Sequence, residues 1–119
     1  KHSNQTYTAR MGLTKQVITP GDGLNYPKRG DRLTMHYVGK LASNEMVFDS
    51  SVRKGRPFVF TIGIGAVIRG WDEGVMQMSL GEKSVLYLTS DLCYGKEGAG
   101  GVIPPNCDLN FEVQLLKIN

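Results

Sequence analysis

In "LNFEVQLLKI", apolar and polar residues alternate: Leu109, Phe111, Val113 and Leu115 point one way, Asn110, Glu112 and Gln114 the other. A period of two puts one face on a core and the other in water, so this run predicts a half-buried antiparallel strand. "RLTMHYVGKL" repeats the pattern, with Leu33, Met35 and Tyr37 opposite Thr34, His36 and Val38. "FVFTI" groups Phe58, Phe60 and Ile62, and "QVIT" is a shorter run that stops at "PGDG". "SVLYLT" is apolar on both faces and predicts an interior strand. "PGDG" and "YPKRGD" supply the residues that set turn dihedrals.

One stretch changes period. In "VIRGWDEGVMQM", Ile68, Trp71, Val75 and Met78 recur at helical spacing, which predicts one short amphipathic helix. Gly70 and Gly74 lie four apart on one side of it. Each costs a helix interior roughly 0.5 to 1 kcal/mol relative to alanine, so both are expected to let the backbone approach a loop or the sheet closely. Five or six strands with one helix define an α+β class: a twisted antiparallel sheet with a short helix laid on one face.

The 119 residues, 40% hydrophobic and 21% charged, suit one domain. Lys1 to Arg10, "KHSNQTYTAR", is polar and aperiodic and is read as a flexible or vector-derived arm, with the domain running from Met11 to Asn119. Asn4-Gln5-Thr6 fits a glycosylation sequon, a pattern too short to weigh against a cytosolic reading. No apolar run is long enough to span a bilayer, no signal-peptide core is present, and Gln16 stands where a myristoylation signal would need Ser or Thr. A net charge of +3 comes from scattered residues such as Lys28, Arg29, Arg32, Arg53, Lys54 and Arg56, which read as a solvated surface and not as a nucleic-acid track. Cys93 and Cys107 match neither a disulfide scaffold nor a zinc site and read as reduced thiols.

Reactive motifs are missing: there is no G-x-S-x-G elbow, P-loop or EF-hand loop, and "GIGAVI" has Ile68 where a dinucleotide fingerprint needs glycine. His36 is the one imidazole within the domain and reads as a satisfied strand residue; Asp72 and Glu73 suit the positive end of the helix. What stands out is the aromatic complement: Tyr37, Phe48, Phe58, Phe60, Trp71, Tyr87, Tyr94 and Phe111. Roughly two thirds of such residues are expected in the core. Asp49 beside Phe48, with loops rich in Gly and Pro, points instead to the rim of an apolar pocket.

"VFDSS", "VIRGWDEGV", "YGKEGAGGVIPP" and "FEVQLLKI" together resemble the FKBP family, the FK506-binding peptidyl-prolyl cis-trans isomerases, over about Met11 to Asn119. The resemblance implies a five- or six-stranded sheet wrapped around a short helix and an isomerase acting on X-Pro bonds without metal, cofactor or covalent intermediate. It implies that Trp71 forms the pocket floor, that Tyr37, Phe48, Phe58 and Phe111 wall it, and that Val67 and Ile68 line it, with the Ile68 N–H donating to the ligand. Tyr94 would donate its hydroxyl, Ile103 would close the top and Asp49 would accept a drug hydroxyl; Tyr37, Asp49, Tyr94 and Phe111 are the residues assigned to catalysis.

The partners implied are proline-containing peptides, FK506 and rapamycin, and through the drug complex calcineurin or TOR kinase, for a monomer in the cytoplasm. A noncatalytic module holding a proline-containing partner is the alternative. Three places depart from the family pattern: Ala99 and Gly100 replace a bulkier pair, which is expected to loosen that loop; "SVRKGRP" differs on the surface that presents a drug; and Cys93 stands where a small residue is usual, which raises the question whether it lies close enough to the pocket for an electrophilic adduct.

Overall fold

Strand β1 (Tyr7–Arg10) opens the computed structural model, which describes residues 7–119, with side chains from residue 11. It pairs antiparallel with β2 (Leu13–Thr19), Tyr7 opposite Gln16, so the last four residues of the expected arm belong to the sheet. The sequon and His2 lie outside the described residues. β3 (Arg32–Leu41), β4 (Val47–Ser50) and β5 (Phe58–Thr61) follow, then β6 (Lys83–Leu88) and β7 (Leu109–Ile118). The sheet runs β1-β2-β6-β7-β3-β4, with β5 sharing the outer edge of β3 with β4. All pairings are antiparallel, and six of the seven strands fall within 11–119, as the alternation predicts.

Register follows hydropathy. β3 and β7 pair along most of their length, Tyr37 opposite Val113 and Gly39 opposite Phe111, which buries Leu33, Met35, Leu109, Val113 and Leu115 on the same face. β6 is an interior strand as expected, but only one of its faces is covered: Ser84, Leu86 and Leu88 are buried while Tyr87 lies in the open. β2 starts three residues before "QVIT". Lys15 turns inward beside Leu13, a position its charge disguises in the sequence.

The helix, α2 (Arg69–Gly74), follows α1, a single turn at Ser51–Lys54 that joins β4 to β5 and has no apolar period to announce it. α2 is shorter than the helical pattern, because Val75–Gln77 tighten into a 3₁₀ turn. A Cβ on Gly70 would stand 2.5 Å from Leu88 Cδ1, and one on Gly74 would stand 3.0 Å from Leu86 Cδ1. The two glycines therefore seat the helix directly on β6, as their spacing suggests. Among the described residues no helix is long and apolar enough to cross a membrane.

Candidate functional site

Trp71, in the first turn of α2, is 4% exposed and sits at the centre of a ring cluster. Tyr37, Phe60 and Phe111 stand around it at centroid distances of 5.3, 5.5 and 5.5 Å, with Phe58 at 6.0 Å. All four meet the indole edge to face, at interplanar angles from 63° to 87°. Electropositive ring edges against the indole hold it in one orientation. No described residue accepts from its Nε1.

Two backbone irregularities bring the walls in. Between β3 and β4 the register slips, Gly39 opposite Asp49 and then Lys40 opposite Val47, leaving Phe48 unpaired in a bulge. A Cβ on Gly39 would stand 2.7 Å from Phe48 Cζ and 2.8 Å from Phe111 Cε1. Glycine at this one point of β3 thus lets the two rings meet edge to face at 5.7 Å. An isolated glycine within a strand pattern is the signal by which the sequence could have shown it.

The loop into the helix is set by Asp72, whose carboxylate accepts from the Gly63 N–H at 2.8 Å and the Gly65 N–H at 3.0 Å. Asp72 does more than complement the helix dipole: it ties down the segment that delivers Val67 and Ile68. Ile68 precedes the helix with extended ψ and no side-chain cap. Its carbonyl accepts from Trp71 and Asp72, while its N–H is donated to no described residue and remains available.

Asp49 is the carboxylate of the site. Its Oδ2 accepts from the Tyr37 hydroxyl at 2.7 Å, and its Oδ1 takes Lys54 Nζ at 3.0 Å and the Ser50 N–H at 2.9 Å. Partial burial on its own would raise the carboxyl pKa, but these donors, Tyr37 and Lys54 foremost, outweigh it and hold it below the usual value. Burial and then the adjacent carboxylate push the Tyr37 phenol well above its ordinary range. Tyr94 is raised as well, chiefly by burial. His36 lies away from the cavity, bonded to Ser51 Oγ at 2.7 Å, the satisfied strand residue that was expected.

The result is a cavity of about 360 Å³ lined by Tyr37, Phe48, Asp49, Phe58, Val67, Ile68, Trp71, Tyr94 and Phe111, together with Lys54 and Ala66. Every residue that the resemblance placed at the site is present except Ile103. That side chain is buried in the core, while its backbone exchanges hydrogen bonds with Ala99. Lys54 and Ala66 were missed because neither residue type marks a pocket. Of the eight aromatics only Tyr37, Phe60, Trp71 and Phe111 are buried; Phe58 and Tyr94 keep over a third of their surface open at the cavity. The core share falls below two thirds because the site takes the difference. Cys93 packs against the core and lines no part of this cavity. Burial, then Asp108 and Asp91, push its thiol up to about 12, which disfavours the thiolate.

An aromatic floor, aromatic walls and a rim with one carboxylate define an α+β binding domain for a compact apolar ring flanked by hydrogen-bonding groups. The sequence model of FKBP-type peptidyl-prolyl cis-trans isomerases matches residues 23–116. FK506-binding protein 1 of Rhizopus delemar is 62% identical over 109 residues, covering 92% of this chain and 100% of that protein. A peptidyl-prolyl cis-trans isomerase of Schizosaccharomyces pombe is 60% identical over 109 residues, 92% of this chain and 96% of its own. Peptidyl-prolyl cis-trans isomerase Fkbp12 of Drosophila melanogaster is 52% identical over 108 residues, 91% and 99%. The chain belongs to the FKBP family and is a peptidyl-prolyl cis-trans isomerase.

Proposed function

We propose that the chain accelerates X-Pro isomerisation during protein folding by seating the prolyl ring on Trp71 and twisting its amide out of water. The barrier to rotation, about 18 to 20 kcal/mol, arises from amide resonance, which water favours because the planar form is the more polar. Within walls made by Tyr37, Phe48, Phe58 and Phe111 that solvation is lost. The Ile68 N–H and Tyr94 hydroxyl then hold the flanking carbonyls, so binding energy from the rest of the peptide opposes the planar geometry. Reducing a step of tens of seconds to milliseconds requires about 10⁴-fold, or roughly 5 to 6 kcal/mol. Desolvation with a few oriented hydrogen bonds supplies that order of energy and needs no nucleophile.

The same cavity is proposed to receive FK506 and rapamycin, Asp49 accepting a drug hydroxyl. Residues 52–55 and 96–101 then form the outer surface that meets calcineurin or TOR kinase. The protein acts as a cytoplasmic monomer in this reading. The observation that carries it is the convergence of four aromatic rings on a buried Trp71 beside an undonated Ile68 N–H. The test is exchange between cis and trans forms of an X-Pro peptide, with and without FK506. Catalysed exchange abolished by the drug is expected, whereas exchange that proceeds unhindered at saturating FK506 sinks the shared-cavity assignment.

A further inference from the structure

The end of the helix opposite the cavity is held by a buried charge that the isomerase reading does not use. Lys15, on β2, is 4% exposed and Glu82, just before β6, is 5% exposed. Lys15 Nζ lies 2.7 Å from Glu82 Oε2 and donates at 2.7 Å to the carbonyl of Gln77, the last residue of the 3₁₀ turn that continues α2. Glu82 is fully engaged: Oε1 accepts from the Ser79 N–H at 3.0 Å and Oε2 from the Ser84 hydroxyl at 2.6 Å. The ammonium is thus fixed between two acceptors, and one of them belongs to the helix that carries the cavity floor.

The rings around Trp71 and the loop bonds of Asp72 hold the cavity end of this helix, and Lys15 holds the far end. The helix has six residues before the 3₁₀ turn, two of them glycine, and no side-chain cap at its start, where Ile68 faces the cavity. Its glycines let it lie flat on β6, a contact of backbone against leucine methyl groups. A lysine at the negative end of the helix, bonded to a terminal carbonyl and anchored by a carboxylate from a second element, supplies a directional restraint. We infer that Lys15, clamped by Glu82, is a positioning residue for catalysis, setting the axial placement of the helix so that Trp71 and the Ile68 N–H meet the prolyl ring and its carbonyl. The inference rests on Trp71 being the floor of the substrate cavity.

Trp71 is the chain's one tryptophan, so its fluorescence reports the floor directly. Lys15→Met alone strands a buried carboxylate and is expected to destabilise the whole fold strongly, which would confound its kinetics. The informative variant is therefore Lys15→Met with Glu82→Gln, which removes both charges and keeps an acceptor for Ser79. It is expected to fold cooperatively, to lose about tenfold in kcat on an X-Pro peptide with little change in KM, and to show a shifted Trp71 emission maximum. Glu82→Gln alone leaves the Lys15 ammonium buried without its counter-charge and is expected to lose stability, but its amide oxygen still accepts from Lys15 and the bond to Gln77 is retained, so the folded fraction is expected to keep the emission maximum and most of kcat. Lys40→Met with Glu112→Gln, which removes an ion pair between β3 and β7 away from the helix, is the control and should leave kcat unchanged.

A folded Lys15→Met/Glu82→Gln variant with wild-type kcat and emission overturns the inference. So does an equal loss in Glu82→Gln, which would mark the pair as structural only. Failure of the underlying reading looks different: wild-type Trp71 fluorescence that does not respond to a saturating proline peptide removes Trp71 from the floor, whatever the variants do.

Discussion

The two ends of the short helix each have a lysine–carboxylate pair nearby, and the pairs have little in common beyond their chemistry. At the closed end Lys15 and Glu82 meet at 2.7 Å with side chains 5% and 6% exposed. At the cavity end Lys54 and Asp49 meet at 3.0 Å with 55% and 36% exposed. The first pair is out of water and must be satisfied completely, which it is, by Gln77, Ser79 and Ser84. The second keeps part of its hydration, which under the proposed function lets it exchange partners with a ligand. Burial therefore separates a closed ion pair from one open to solvent.

The contrast orders what should happen on substitution. Lys15→Met, leaving Glu82 buried and unpaired, should cost about 3 to 5 kcal/mol in a denaturant titration, the largest effect here. A loss below about 1 kcal/mol would show that the interior pair behaves like the rim pair. Gly70→Ala forces a Cβ to within 2.5 Å of Leu88 Cδ1 and should cost about 1 to 3 kcal/mol as Leu88 gives way. Because the lift would occur directly beneath Trp71, its emission should shift along with stability. Lys54→Met should change stability by no more than about 1 kcal/mol, and the change should vanish near 1 M salt while that of Lys15→Met persists.

The smallest effect expected is that of pH on the rate. Asp49 is held low, Tyr37 and Tyr94 are held high, and none of the three changes charge between about pH 5 and pH 9. A flat profile of kcat/KM across that window is expected, and a bend within it would assign rate control to another group. The sign for stability follows from the lowered value. The Asp49 contribution is present in full above the unfolded carboxyl pKa of about 3.9 and is lost as pH falls through the lower folded value. Acid titrations of wild type and Asp49→Asn should therefore converge only below about pH 4.

Legibility in the sequence tracks how local the cause is. The alternation in β3 and β7 shows directly, because each strand decides its own two faces, and the spacing of Gly70 and Gly74 shows because a helix places residues four apart on one side. Tyr7–Arg10 were read as an arm since their partner, β2, is what makes them a strand. Lys15 failed to register as interior because hydropathy assigns a lysine to water, and only Glu82, 67 positions on, makes its burial tolerable. Gly39 hints at an irregularity in β3, but the bulge at Phe48 is a relation between two strands and its place is set only when they pair.

By itself the sequence determined the class of the fold, the strands whose period reports a single buried face, and, through the wording of a few motifs, the family and nearly all residues of the cavity. Tertiary structure alone decided that Ile103 belongs to the core and Lys54 to the rim, that Phe48 and Phe111 are the rings Gly39 admits, and that a buried lysine bonds the far end of the helix. The physical reason is range. Periodicity and turn chemistry act over a few residues, whereas close approach, desolvation and charge pairing depend on which distant segments the folded chain brings within a few ångströms.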